Sequence, residues 1–409
     1  MKIHHNKTTK VQLEPGLDDL CAEMSEELRR LLHFWSTEAV DTEFGGYISR
    51  IDHYGNKDVK ANKGAVLNSR ILWTFSAAYR LTGEQKYLES ANRAYFYLIN
   101  HFWDKEFGGL IWSIDYKGNA LNTRKQAYAQ GFGIYALSEY YRITENEECL
   151  DYAKSLYFIL EEKFQDKEYM GYIEALTQNW SKQEDMRLSD KDANSPKSMN
   201  THLHILEPYT NLYRVWKDDR LQNSMLSLLD LFVNKITDSN TGHFNLFFDM
   251  DWSVHSSSIS YGHDIEGAWL MNEAAEEIGD SNLMASIQKV TKRLVDITIN
   301  EGMDKDASLF NEREDEKLDT DKHWWPQAEA MVGLVDAWEW NDKAEYLGKM
   351  SQVWTFIKAH LVDKVNGEWY WRVNQNGEPI ESEDKVGFWK CSYHNCRALM
   401  EVITRLRYS

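Results

Sequence analysis

The stretch DTEFGGYISRIDHYGN at 41–56 returns as DKEFGGLIWSIDYKGN at 104–119. Each copy opens on a turn rich in Asp and Gly and runs on through a short alternation of apolar and polar residues, the pattern of a β-hairpin. Weaker copies follow as DKEYMGYIEALT at 166–177, DSNTGHFNLFFDMDW at 238–252 and DKVNGEWYWRVNQNG at 363–377, and DKDASLFNEREDE at 304–316 is a degraded copy in the corresponding place. The six copies begin 59 to 72 residues apart. A period of this size marks a repeated supersecondary unit.

Between the copies the period is helical. ILWTFSAAYRLTG at 71–83 and GIYALSEYYRITE at 133–145 carry apolar residues at i, i+3, i+4 and i+7, and each is followed by a turn and a second helix. The spacing predicts twelve helices, roughly over 17–35, 64–81, 84–103, 124–143, 146–164, 198–217, 219–236, 263–279, 281–300, 323–340, 342–361 and 388–407. Six helical pairs with six hairpin inserts predict an all-α (α/α)6 barrel, an inner ring of helices wrapped by an outer one, with the hairpins at one end. An open solenoid is the alternative, but six units without polar capping repeats favour closure. Only five prolines agree with a mostly helical chain. No linker or low-complexity segment interrupts it, so 1–409 is read as a single catalytic domain.

Acidic residues outnumber basic ones by 65 to 46, a formal charge of −19. That field repels nucleic acid and anionic membrane, and a neutral small molecule suits it better. Cys21, Cys149, Cys391 and Cys396 have neither zinc-like spacing nor the density of a disulfide scaffold. The opening MKIHHNKTTKVQLEPG lacks the apolar run of a secretory signal, and no run of eighteen apolar residues offers a membrane span. The expectation is a soluble cytoplasmic protein, a monomer or weak homodimer. Sixteen Trp and 22 Tyr are a heavy aromatic load. Most belong to a core, and a few are candidates for stacking on the apolar face of a sugar.

If the even-numbered helices form the inner ring, their N-terminal turns converge on one mouth, and each is chemically loaded. Helix two opens AVLNSR, ending in Arg70; helix four opens TRKQAYAQGFG, containing Tyr128; helix six opens MNTHLHILEPYT, with Asn200, His202, His204 and Glu207. Helix eight opens SYGHDIEGAWL, with His263 and Glu266; helix ten KHWWPQAEA, with Trp324 and Trp325; helix twelve GFWKCSYHNCRAL, with Trp389 and His394.

On a helix Asn200, His204 and Glu207 share a face, while His202 points roughly 160° away from His204. Chelation by the HxH pair is therefore disfavoured and no metal site is expected. His204 faces the cavity and His202 packs or hydrogen-bonds between helices. Pro208 deletes the bond to the carbonyl of His204 and predicts a kink. Glu266, one turn past His263, is within reach to orient its imidazole or to bond substrate. Arg70, set between apolar residues, is expected to face the cavity and polarise an oxygen.

No GxGxxG, P-loop or HExxH motif implies a cofactor. Histidine takes and returns protons near neutrality. Two histidines on opposite faces of a sugar C2 would epimerise it, once ring opening has made that carbon acidic, with an Arg stabilising the enediolate. The rival is an (α/α)6 glycoside hydrolase or lyase drawing on Asp192, Glu207, Asp264 and Glu266, chemistry that does not require the adjoining histidines.

The segments NTHLHILE, SYGHDIEGAWL, HWWPQAEA and GFWKCSYHNCRAL, with the EFGG repeats, resemble the N-acylglucosamine 2-epimerase superfamily along essentially the whole chain. DMRLSDKDANSPKSMNTHLHILE at 185–207 is most similar to its cellobiose-epimerising branch. The resemblance implies a cofactor-independent 2-epimerase that interconverts the reducing-end glucose and mannose of β-1,4-linked disaccharides such as cellobiose and lactose. Within it, His263 and His394 would be the acid/base pair at C2 and His204 would assist. Arg70, Tyr128, Asn200 and Glu266 would hold the reducing-end sugar, Trp325 and Trp389 would stack, and Asp192 would contact hydroxyls. Mannose 2-epimerases and aldose–ketose isomerases share the barrel and much of this histidine set.

Overall fold

The computed structural model describes residues 16–189 and 192–408. The opening segment read above for a targeting signal lies largely outside the described residues, apart from Gly16. The inner helices are α2 (Ala65–Thr82), α4 (Ala127–Thr144), α6 (Met199–Val215), α8 (Tyr261–Ile278), α10 (Trp324–Asn341) and α12 (Tyr393–Tyr408). The outer ones are α1 (Leu17–Thr37), α3 (Gln85–His101), α5 (Glu147–Ile159), α7 (Asp219–Leu231), α9 (Ser281–Ile297) and α11 (Ala344–Phe356). Each inner helix packs on the next and α12 returns to α2, so the ring closes and the solenoid alternative fails. The outer helices lie against α12, α2, α4, α6, α8 and α10 in turn.

Burial follows this layering. From Ala65 to Ala78 every side chain of α2 is buried, and α4 is buried from Ala127 to Tyr140, as befits helices enclosed on all sides. Outer helix α9 buries only Ile287, Thr291, Leu294 and Val295, one stripe facing inward. Four outer helices, α5, α7, α9 and α11, end in a five-residue π-helical turn that hands the chain to the hairpin.

The hairpins stitch successive repeats. Lys63–Gly64, just before α2, pairs with Ser113–Ile114 of the next hairpin. Lys125–Gln126 pairs with Ala175–Leu176, Lys197–Ser198 with Phe247–Phe248, Ile259–Ser260 with Glu312–Arg313, and Lys322–His323 with Arg372–Val373. A bridge from Ile51 to Val386 completes the circle. The first amides of α2, α4, α6 and α10 donate to the carbonyls of Trp112, Glu174, Leu246 and Trp371, which fixes where each inner helix begins.

A lysine two residues before the helix reinforces the stitch. Lys63, Lys125, Lys197 and Lys322 reach the hairpin aspartates Asp41, Asp104, Asp166 and Asp304 at 2.6–3.0 Å, and Lys385 reaches Asp363 in the last repeat. Repeat four is the exception: Ile259 stands where the lysine would be.

The fourth residue of the inner helix makes a second tie. Gln130, His202, Asp264 and Gln327 each accept the amide of a hairpin residue, Leu110, Tyr172, Phe244 and Leu309 respectively, at 2.7–2.9 Å. His202 is therefore a structural acceptor. Its Nδ1 donates to Ser198 O at 2.7 Å, and burial pushes its pKa down to about 4, so it is neutral.

Three predicted boundaries move. α12 begins at Tyr393, not 388, because the Gly387 amide turns back onto Lys390 O and Lys390 Nζ is drawn to Glu368 at 3.0 Å. α4 begins at Ala127, not 124, because Lys125 and Gln126 are committed to strand pairing. α8 begins two residues early, at Tyr261. The kink in α6 falls where Pro208 predicts it, with His204 at φ −85°, ψ 17°. A Cβ on Gly131 of α4 would lie 2.3 Å from the His204 carbonyl, so only glycine admits this approach.

Candidate active site

His204, His263 and His394 come from three inner helices, all close to the hairpin end of the barrel. Trp325, on the first turn of α10, joins two of them: its ring centroid lies 4.6 Å from His263 and 5.7 Å from His394. Gly262 makes room for it, since a Cβ there would meet the indole at 2.6 Å. His204 packs edge-on to Tyr128 at 5.1 Å and beside Phe132 at 5.0 Å. Arg70 donates to the Tyr128 hydroxyl at 2.9 Å and to Trp389 O at 3.3 Å, and lies over the rings of Phe132 and Tyr393. It has no carboxylate partner among the described residues, and its Nε is buried without a hydrogen bond.

Each imidazole has a partner at Nδ1: Glu207 for His204 at 2.9 Å, Glu329 for His394 at 2.6 Å, and the Ser260 hydroxyl for His263 at 2.8 Å. A carboxylate only accepts, so in His204 and His394 the proton sits on Nδ1 and Nε2 keeps its lone pair. Burial pushes all three pKa values below the ordinary one, to about 3 for His263 and well down for His394, where Arg70 and Arg397 add to the effect. Three neutral imidazoles thus face neutral pH as bases.

Behind them lies a buried ionic hub. Arg397, from α12, reaches Glu266 at 2.5 Å and Glu329 at 2.7 Å, and also bonds Glu207 and the Tyr393 hydroxyl. Burial alone would raise Glu207, but Arg397 and His204 outweigh it and hold the carboxyl at about 2. Burial and the neighbouring carboxylates raise Glu266 and Glu329 instead. Glu266, Glu329 and His394 present ligand atoms within 4.8 Å of one another, but the positive charge between the two carboxylates is already that of Arg397.

Some expectations shift. Glu266 does not orient His263; it binds Arg397 and leaves Oε2 buried without a partner. Trp324 is packed as core, 3% exposed against Trp371, whereas Trp325 and Trp389 are only half-buried. Asn200 and Asp192 make no hydrogen bond to the histidines among the described residues. Asn200 has a buried, unpartnered Oδ1, and Asp192 accepts Ser189 N at 2.8 Å within its own loop. Glu329, Arg397, Tyr393 and Ser260 were missed. A signal existed: carboxylates buried on three inner helices demand a cation, and Arg397 is one turn past His394.

The chain is 48% identical over 384 residues to a cellobiose 2-epimerase of Bacteroides fragilis, covering 93% of this chain and 98% of that one. To the cellobiose 2-epimerase of Dictyoglomus turgidum it is 39% identical over 389 residues, covering 95% and 99%. The solved cellobiose 2-epimerase of Bacillus thermoamylovorans B4167 superposes with a TM-score of 0.92 at 39% identity, covering 95% of this chain and 100% of that one. Residues 46–398 match the family described as N-acylglucosamine 2-epimerase (GlcNAc 2-epimerase). With that match across most of its length, the chain belongs to the N-acylglucosamine 2-epimerase family, and it is a carbohydrate epimerase.

Proposed function

We propose that this enzyme interconverts the glucose and mannose at the reducing end of a β-1,4-linked disaccharide, cellobiose or lactose, by proton transfer at C2. The observation that carries the mechanism is that two neutral imidazoles, His263 and His394, flank one half-buried indole, Trp325. In this scheme each histidine serves one face of C2 of a sugar stacked there. Ring opening exposes the C1 aldehyde and acidifies C2. One Nε2 takes the C2 proton, the bond electrons pass into the C1–C2 enediolate, and the other imidazole, having taken up a proton from solvent, delivers it to the opposite face while the first releases its own to solvent. The depressed pKa values make either imidazolium a strong donor. Arg70, paired with no carboxylate, supplies charge where the enediolate oxygen develops. Asn200 and Glu266 offer their unpartnered oxygens to hydroxyls, Trp389 and Tyr128 wall the site, His204 assists, and Asp192 contacts sugar hydroxyls.

No cofactor or metal takes part in this scheme, and chelation by EDTA is expected to leave the rate unchanged. The proposed setting is cytoplasmic; no described helix is long and apolar enough to cross a membrane. Proton NMR of the protein with cellobiose in heavy water, and mannose in parallel, tests the proposal. A mannosyl product carrying deuterium at C2 without cleavage supports it. Turnover of mannose alone moves the substrate to a monosaccharide, and free glucose from cellobiose overturns the histidine mechanism.

A further inference from the structure

Five repeats fasten the hairpin with a lysine, whose charge is fixed at neutral pH. Repeat four, which carries His263, does not. Asp238 holds the amides of Asn240 and Thr241 at 2.7 and 2.8 Å, as Asp41 holds those of Glu43 and Phe44, but the lysine position is Ile259. A buried histidine makes the tie instead. His243 Nδ1 lies 2.6 Å from Asp264 of α8, and its Nε2 lies 3.4 Å from Glu301 at the end of α9. Both Asp264 oxygens accept, the second from Phe244 N at 2.9 Å. With a carboxylate at each ring nitrogen, the site favours the imidazolium, the form in which both nitrogens donate.

We infer that His243 is a positioning residue for His263, a titratable clasp that holds the first turn of α8 most tightly while protonated and loosens it on losing a proton, when the Glu301 contact and the charge on the Asp264 bond are lost and a neutral Nδ1–H bond remains. The path is short. Asp264 adjoins His263 in sequence. Glu301 is also held by Arg313 at 3.2 Å, and Arg313 lies on the strand paired with Ile259–Ser260, whose Ser260 hydroxyl holds His263 Nδ1. The groups facing His243 are Asp264 from α8, Glu301 from α9, Arg313 beyond Glu301, and the Tyr261 ring at 5.9 Å. Burial opposes the charge, but Asp264 and Glu301 prevail and raise the pKa above the ordinary histidine value. A raised folded-state pKa places the clasp at full strength below the unfolded value and weakens it as pH rises through the folded one.

The inference rests on His263 acting at C2, so its test has a readout independent of turnover. In wild-type protein, hydrogen-exchange protection of amides 262–266, corrected for intrinsic rate, should fall with the same midpoint as an NMR titration of His243. His243→Gln, which keeps a hydrogen bond but not the charge, should lack that dependence. It should also lower kcat roughly ten- to a hundredfold with KM unchanged, the scale of a small misplacement of a reacting group. Adding Ile259→Lys to His243→Gln rebuilds the fixed lysine opposite Asp238, and should restore kcat and remove the alkaline limb of the wild-type profile. Protection that ignores the His243 titration, or a His243→Gln rate equal to wild type, overturns the inference. A turnover that survives His263→Ala would instead overturn the catalytic assignment and leave the clasp standing.

Discussion

Glu329 sets one carboxylate oxygen 2.6 Å from Nδ1 of His394 and 2.7 Å from Arg397, so one atom fixes the tautomer of an imidazole and neutralises a buried guanidinium. Glu329→Gln puts an amide there, which can present a donor to Nδ1 and let the proton move to Nε2. The expected result is a fall in kcat of roughly two to four orders of magnitude with little change in KM, the pattern of a lost tautomer constraint. Steady-state kinetics on cellobiose check it, with circular dichroism to confirm the fold.

The two imidazoles beside Trp325 make separable predictions. His263→Ala and His394→Ala are each expected to abolish epimerisation while the melting transition stays cooperative. If the two histidines serve opposite faces of C2, a variant lacking only one base can still exchange the C2 proton of one epimer with heavy water. Mass spectrometry of recovered cellobiose and its mannosyl epimer reads this directly, and near-normal turnover in either variant would sink the two-base scheme.

His202 is expected to behave differently. It fills the slot that Gln130 and Gln327 fill in other repeats, so His202→Gln should keep both stability and kcat. His202→Ala orphans the buried Tyr172 amide and should cost about 1–3 kcal/mol of stability with kcat retained at permissive temperature. Thermal denaturation and kinetics on the two variants separate these outcomes.

The repeat and the helical period made the barrel legible, and Pro208 announced the kink at His204. What stayed hidden lies where contacts cross repeats. Glu329 and Arg397 are 68 residues apart, and nothing local in either segment points to the other. The late start of α12 was hidden too, because Lys390 is pulled out of helical geometry by Glu368, a partner 22 residues upstream. A lysine such as Lys125 or Lys322 was visible in the quoted helix starts. Its meaning needed the hairpin aspartate 18 to 31 residues earlier to be seen as a buried partner.

Those lysines predict a stability effect remote from the chemistry. Lys125 Nζ is fully buried, bonding Asp104 at 2.8 Å and Gly108 O at 2.8 Å. Lys125→Met strands the aspartate and should destabilise by about 3–5 kcal/mol, the cost of breaking a buried pair from one side. Removing the exposed Lys86 from Glu84 should barely register. Chemical denaturation of both variants gives the comparison, and equal effects would show that the buried pair does not anchor the hairpin.

Glu174 carries the opposite sign. It is buried behind the start of α6, with one oxygen accepting from Thr201 at 2.5 Å and the other unpartnered, and burial pushes its carboxyl up to about 8. The folded state therefore keeps a proton that the unfolded chain gives up near the ordinary glutamate value of about 4.3. Stability from this residue declines as pH rises between those two values, by an amount on the order of a few kcal/mol. Glu174→Gln retains an acceptor for Thr201 and cannot ionise. Its melting temperature should match wild type at about pH 5 and exceed it at about pH 9, where the buried charge burdens only the wild-type protein. A constant difference across that range would mean that Glu174 is already ionised in the fold, paired through a route other than Thr201.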